Sequence, residues 1–316
     1  MQKIVILDAG TLGEDLSLDP LRALGQVCAY PATAVSDIPD RVADCDILIQ
    51  NKVRITKEVL CAAPRLKLIC EAATGYDNID LCAARARGVA VCNVPGYSTP
   101  SVVQLTVATV LSLATHLQVY AAYVADGSYT ESGHPTSLTP VYHELEGRTW
   151  GILGYGHIGQ GVAAVARALG CQVLVSTRTP TASACCVDLD ELCRRADILT
   201  IHVPLSDTTR GIIDRRRIAM MKPDAIVVNV ARGAVTDEAA LADALRTGRI
   251  GALGADVFST EPLPPSHPFY AIRRHPRVCF TPHMAWGSFE ARTRCLHTIA
   301  ENIRAFLDGR LLNRID

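Results

Sequence analysis

Short apolar runs alternate with helical patterns from one end of this chain to the other, and few architectures accept that alternation. The first series of strand-like runs is Ile4 to Leu7, Ile47 to Ile49, Leu66 to Cys70 and Val89 to Val94. Helix-like stretches fall near Pro20 to Leu24, Thr56 to Ala62 and Leu81 to Arg87. The second series is Thr149 to Leu153, Gln172 to Ser176, Ile198 to Val203, Ala225 to Val230, Ala252 to Val257 and Val278 to Phe280. An α/β class is expected, with βαβ units forming parallel sheets covered by helices on both faces.

Between the two series lies a long helical candidate. Thr99 suits its cap, Pro100 its first turn, and Val102 to Leu117 is almost wholly apolar or small, which demands burial on most sides. Pro135, Pro140 and Gly147 then mark a loop. At the far end Phe289 to Leu307 reads as an amphipathic helix ended by Gly309. The expected map has a discontinuous first domain, residues 1–99 with 285–316, around a central domain of residues 100–284. A terminal helix that stayed with the second domain would satisfy the same pattern. A length of 316 residues suits two domains.

Hydrophobic residues make up 49% and charged residues 20%, an ordinary globular balance. Lys and Arg number 31 against 32 Asp and Glu, and no basic block exceeds Arg215 to Arg217, so nucleic acid is not an expected partner. No apolar stretch approaches the roughly 20 residues that span a bilayer, and the chain opens on a strand-like run, so neither a membrane partner nor a signal peptide is expected. The twelve cysteines are scattered without a CxxC pair, which predicts reduced thiols, no metal and a cytoplasmic setting.

Gly154-Tyr155-Gly156-His157-Ile158-Gly159 follows an expected strand and opens an expected helix. In that frame Gly154 permits the tight turn, Gly156 lets a pyrophosphate approach the backbone, and Gly159 allows close helix packing. The helix N-terminus offers free N–H groups to the phosphate charge. The next strand ends in Ser176-Thr177-Arg178, without the Asp or Glu that usually accepts from the ribose 2′-hydroxyl of NAD. Two hydroxyls and a guanidinium favour NADP(H), while NAD(H) stays open. Arg178 would serve equally by stacking on adenine or by facing solvent.

Arg232, Glu261 and His283 stand just beyond apolar strand runs, where open parallel sheets bind ligands. On a 2-oxo acid, Arg232 would pair with the carboxylate and polarise the carbonyl oxygen. His283 would give or take the proton, its reference pKa of about 6.5 being easily tuned around neutrality. Glu261, hydrogen-bonded to the other ring nitrogen, would fix the tautomer. Taken singly, each residue also fits a surface turn, a solvated loop or a structural histidine.

Ala72 to Asp80, Asn93 to Thr99, Gly154 to Gly159, His202 to Leu205, Asn229 to Gly233, Asp256 to Phe258 with Glu261-Pro262, and Thr281 to His283 together resemble the D-isomer-specific 2-hydroxyacid dehydrogenase family over nearly the whole chain. Asn51-Lys52, Gly96 to Thr99 and Ala285-Trp286 look most like its glycerate dehydrogenase or hydroxypyruvate reductase branch. The resemblance implies a flavodoxin-like substrate domain built from both chain ends, a central Rossmann cofactor domain and a homodimer. It implies the roles above for Arg232, Glu261 and His283, substrate-carboxylate binding around Ala73, Thr74 and Gly75, Thr99 and Asp256 beside the nicotinamide, His157 by the pyrophosphate, and Pro204 as a wall of the cofactor cleft.

The expected reaction reduces a small 2-oxo acid to the D-2-hydroxy acid, hydroxypyruvate or glyoxylate giving D-glycerate or glycolate. A bulkier 2-oxo acid or phosphoglycerate is the nearest alternative. A dinucleotide-sensing interaction protein is the alternative of another class. Thr177, where NAD-using members commonly carry Asp, departs from the family pattern.

Overall fold

The computed structural model describes residues 1–179 and 181–316, which divide into two compact units, Met1–Ser98 with Gly287–Asp316, and Thr99–Trp286. In the first unit β1 (Gln2–Ile6), β2 (Gly25–Ala29), β3 (Ile47–Gln50), β4 (Leu68–Glu71) and β5 (Ala90–Cys92) form one sheet in the order β2-β1-β3-β4-β5. Every pairing is parallel, with Ile4 opposite both Val27 and Ile47. This is the flavodoxin-like winding.

Val5, Leu7, Leu48, Ile69 and Val91 lie on one face of that sheet, against Ile38, Val42, Leu60 and Ala84 of its helices. Ile4, Ile6, Ile47, Ile49 and Leu68, on the opposite parity, are equally buried, which is why these strands read as unbroken apolar runs. The terminal helix Phe289–Leu307 packs on β4 of this unit. Ser288 caps it through Ala291 N–H at 3.2 Å, and Gly309 follows at φ 72°.

The second unit holds β6 (Thr149–Leu153), β7 (Gln172–Ser176), β8 (Cys185–Cys186), β9 (Ile198–Ile201), β10 (Ile226–Asn229), β11 (Ala252–Ala255) and β12 (Val278–Phe280). Their order, β12-β11-β10-β9-β6-β7-β8, is all parallel and reverses direction between β6 and β9. That is Rossmann winding with one additional strand. Helices Thr99–Ala114 and His157–Ala168 cover one face over Trp150, Ile152, Val175 and Val228. The buried Trp150 indole donates to Thr200 Oγ1 at 3.1 Å, so its N–H is satisfied.

Two local expectations are corrected. The apolar run does not continue as one helix to Leu117: it stops at Ala114, and the chain bends by 67° into a separate helix, Leu117–Ala125. His116 makes the break at φ 53°, a left-handed conformation that cannot propagate a right-handed helix. Thr99 is the first helical residue and not the cap before it. Cys185–Cys186 adds a two-residue edge strand too short to leave a periodic signal. No single helix of the described residues is long and apolar enough to cross a membrane, although the bent pair just named passes by length and composition.

Candidate active site

The turn after β6 shows why its three glycines differ. Gly154 has φ 94°, and a β-carbon there would stand 2.9 Å from the carbonyl carbon of His202, the residue after β9. A β-carbon on Gly159 would overlap the carbonyl oxygen of Gly154. Both therefore serve the chain's own packing, where the turns after β6 and β9 meet at the reversal of strand order. Gly156, by contrast, has nothing within 4 Å of a β-carbon position. It is exposed and caps helix His157–Ala168, so an open cradle lies beside the helix N-terminus, with His157 and Ile158 in its first turn. These residues fit the pyrophosphate of a dinucleotide.

Gly154 N–H donates to Ser176 O at 2.9 Å, tying the cradle to the end of β7. Thr177 follows half-buried and Arg178 exposed, and no carboxylate among the described residues pairs with Arg178. Across the switch point, both ring nitrogens of His202 are buried without a hydrogen-bond partner among the described residues. Burial drives its pKa down to about 3, keeping the ring neutral. Pro204 is exposed, and Thr209 Oγ1 closes the following polar loop by donating to Pro204 O at 2.6 Å.

Glu261 and His283 come together although 22 positions separate them: Nδ1 of the imidazole lies 2.7 Å from Oε2 of the carboxylate. Phe258 N–H donates to the other oxygen, Oε1, at 2.9 Å. A carboxylate on Nδ1 leaves Nε2 as the nitrogen that exchanges a proton. His283 holds φ 53°, stabilised by its own N–H on Thr281 O at 3.0 Å and by the Trp286 indole donating to its carbonyl at 2.9 Å. Arg232 sits three residues past β10. Asn229, the last residue of that strand, shapes its turn by accepting from Ala231 N–H at 3.0 Å and donating to Arg232 O at 2.9 Å. A side chain on Gly233 would overlap the Phe258–Ser259 peptide, so the Arg232 turn rests against the segment that holds Glu261.

Asp256 is 2% exposed, and its carboxylate accepts from Thr281 Oγ1 at 2.6 Å and from Met284 and Ala285 N–H at 2.9 Å each. Burial raises its pKa against the opposing pull of those bonds. It thus clamps the loop carrying His283 from both sides. The sequence does not announce that work, because two of the three donors are backbone N–H groups; the turn-shaping bonds of Asn229 are hidden in the same way, since both of its partners are backbone groups.

In the first unit, Ala73 O accepts from Val94 N–H at 3.0 Å and Thr74 O from the Asn93 amide at 2.8 Å, while Thr74 Oγ1 donates to Val94 O at 2.8 Å. The turn through Gly75 is anchored by these bonds. Thr99 opens the first helix of the second unit.

A sheet wound in this order, with its glycine turn at the switch point, belongs to the dinucleotide-dependent dehydrogenases, and fold and site together put the chain in that class. The model of the D-isomer specific 2-hydroxyacid dehydrogenase NAD-binding domain matches residues 107–285. The hydroxypyruvate reductase of Blautia hydrogenotrophica is 34% identical over 99% of both chains. The glycerate dehydrogenase of Methylorubrum extorquens is 34% identical over 100% of this chain and 99% of its own. Among solved structures, an acyclic imino acid reductase in complex with NADPH and D-Arg superposes with a TM-score of 0.87 at 27% identity, each chain covered in full. The chain belongs to the D-isomer-specific 2-hydroxyacid dehydrogenase family, in its glycerate dehydrogenase and hydroxypyruvate reductase branch, and is an oxidoreductase using a nicotinamide dinucleotide.

Proposed function

We propose that this enzyme reduces hydroxypyruvate to D-glycerate, and glyoxylate to glycolate, with Arg232, Glu261 and His283 as its catalytic set. The observation that carries the proposal is the 2.7 Å contact between His283 and Glu261, beyond the strand ends of a sheet with an open glycine cradle. A bound nicotinamide supplies the hydride to the carbonyl carbon of the 2-oxo acid. Arg232 pairs with the substrate carboxylate and stabilises charge growing on the carbonyl oxygen. His283 delivers the proton that oxygen takes up, from Nε2, and recovers one from solvent. Glu261 holds the ring in the tautomer this requires. In the first unit, Ala73, Thr74 and Gly75 are proposed to bind the substrate carboxylate, making that unit the substrate domain and the second unit the cofactor domain. The branch of the family supports a short polar substrate.

For the cofactor, we infer that Gly154 to Gly159 receive the pyrophosphate with His157 beside it, that Thr99 and Asp256 lie near the nicotinamide, and that Pro204 walls the cleft. NADP(H) is favoured, since Ser176, Thr177 and the exposed Arg178 offer donors to a 2′-phosphate and none of the three is an acid that would repel it. A homodimer is proposed on the strength of helix Leu117–Ala125, none of whose residues is buried, its apolar Leu117 and Val124 each being 59% exposed. The cytoplasm is the proposed compartment, since all twelve cysteines are free.

Steady-state assays of hydroxypyruvate, glyoxylate, pyruvate and bulkier 2-oxo acids, each with NADH and NADPH, test the substrate and cofactor together. The highest kcat/KM is expected for hydroxypyruvate with NADPH. A preference for a bulky or phosphorylated acid would overturn the substrate assignment. Sedimentation of the wild type and of a Leu117→Glu, Val124→Glu variant tests the dimer, and identical sedimentation would refute that interface.

A further inference from the structure

We propose that Glu238 and His267 form a buried clamp that positions Glu261 and the Arg232 turn for catalysis, a proposal that rests on the catalytic assignment above. Neither residue belongs to the reactive set. Glu238 is 7% exposed and begins helix Glu238–Arg246; His267 is 6% exposed and caps helix Pro268–Ile272. His267 Nδ1 accepts from Phe269 N–H at 3.1 Å, so that nitrogen carries no proton and Nε2 does. Nε2 then donates to Glu238 Oε2 at 2.9 Å. The tautomer, and with it the direction of the Glu238 bond, is set by the helix cap.

The other oxygen of Glu238 reaches the catalytic segment. Oε1 accepts from Ser259 N–H at 3.0 Å, and Ser259 Oγ lies 3.2 Å from His267 Nε2. The peptide ending at that N–H is the one on which Gly233 packs too closely for any side chain. One residue earlier, Phe258 N–H holds Oε1 of Glu261, whose Oε2 faces His283. Phe258 therefore links the three: the peptide after it is fixed by Glu238 and supports the Arg232 turn, and its own N–H holds the Glu261 carboxylate.

Packing alone does not call for such a pair. The ring of His267 stands edge-on to Phe258 at 6.0 Å and to Phe269 at 5.4 Å, in a pocket closed by Phe280 stacked on Phe269 at 5.1 Å. An apolar side chain would fill that pocket without taking a carboxylate and an imidazole out of water. The hydrogen bond to Ser259 gives a direction that apolar contact does not, and a small displacement of a reacting group is costly in rate.

The clamp is tested by a double-mutant cycle on the full-length enzyme, pairing Glu238→Ala with Glu261→Gln. Glu238→Ala is expected to lower kcat roughly 10- to 100-fold while NAD(P)H affinity, measured by fluorescence titration, holds within about twofold. In the Glu261→Gln background its effect on kcat is expected to shrink by at least about threefold, since one of the two groups it positions is already impaired and only the part through the Arg232 turn remains. Glu238→Gln, which keeps an oxygen for Ser259 N–H, should restore part of the loss. Additive losses, or a change confined to KM, would overturn the clamp while leaving the catalytic assignment intact. Normal kcat in Glu261→Gln would overturn that assignment and the clamp with it. If Glu238→Ala does not fold, the same cycle with His267→Asn, which retains the helix cap, is read by the same criteria.

Discussion

Oε2 of Glu261 faces Nδ1 of His283 across 2.7 Å, while Oε1 is held at 2.9 Å by the N–H of Phe258. The carboxylate thus reaches the imidazole with its second oxygen already committed to the backbone, and the ring keeps Nε2 for chemistry. Replacing His283 by Ala removes the proton carrier and is expected to lower kcat by roughly 100- to 10,000-fold. Cofactor affinity, measured by fluorescence titration, should be retained. Turnover near wild type in this variant would remove His283 from the acid–base role.

The glycines of the cofactor turn separate folding from binding. Gly159→Ala drives a β-carbon into the Gly154 carbonyl and is expected to cost about 1–3 kcal/mol of stability, seen as a lower Tm. Gly156→Ala meets nothing in the protein, so its Tm should match the wild type while dinucleotide affinity falls. Unchanged affinity in a Gly156→Ala protein would show that the cradle is not where the pyrophosphate lies.

Arg178 follows β7 with an exposed side chain. If its guanidinium meets the 2′-phosphate, Arg178→Ala should weaken NADPH by about tenfold or more and leave NADH nearly unchanged, the loss of a charge-assisted bond. Equal effects on the two cofactors would assign Arg178 to the adenine or to solvent. Thr177→Asp gives the converse test: a carboxylate there should turn preference toward NADH.

Glu71 makes folding depend on pH. Its side chain is fully buried at the end of β4, its Oε2 accepts from the Gln50 amide, and burial, with the nearby Asp8 carboxylate, raises its pKa to about 9. The folded protein then keeps a proton that the unfolded chain releases above its ordinary value of 4.5. The contribution to stability is complete below 4.5, declines as pH rises and is lost by about 9. Between pH 6 and pH 8 the wild type should lose roughly 2–3 kcal/mol relative to Glu71→Gln, whose amide does not titrate. Parallel stability curves for the two proteins in chemical denaturation would contradict this assignment.

Legibility followed the range of the forces involved. Most strands of both sheets stood out because burial on two faces demands unbroken apolar runs, as at Ile47 to Ile49, whereas the edge strand β2, Gly25–Ala29, is only partly buried and was not readable. The Gly154 to Gly159 turn was readable because the backbone itself excludes side chains at two of its positions. The bend at His116 was not readable, since the run on either side is apolar and the reversal lies in one backbone angle. Cys185–Cys186 was too short to carry a period.

By itself the sequence determined the α/β class, the strand–turn–helix that cradles a dinucleotide, and the residue types able to polarise a carbonyl and move a proton. Those depend on local pattern and side-chain chemistry. The tertiary structure decided which groups meet: Glu261 with His283, Asp256 with the loop of Thr281 to Ala285, Glu238 with Ser259 and His267. These contacts join residues on separate strands and loops, several through backbone N–H groups that every residue type except proline supplies, so no local pattern announces them.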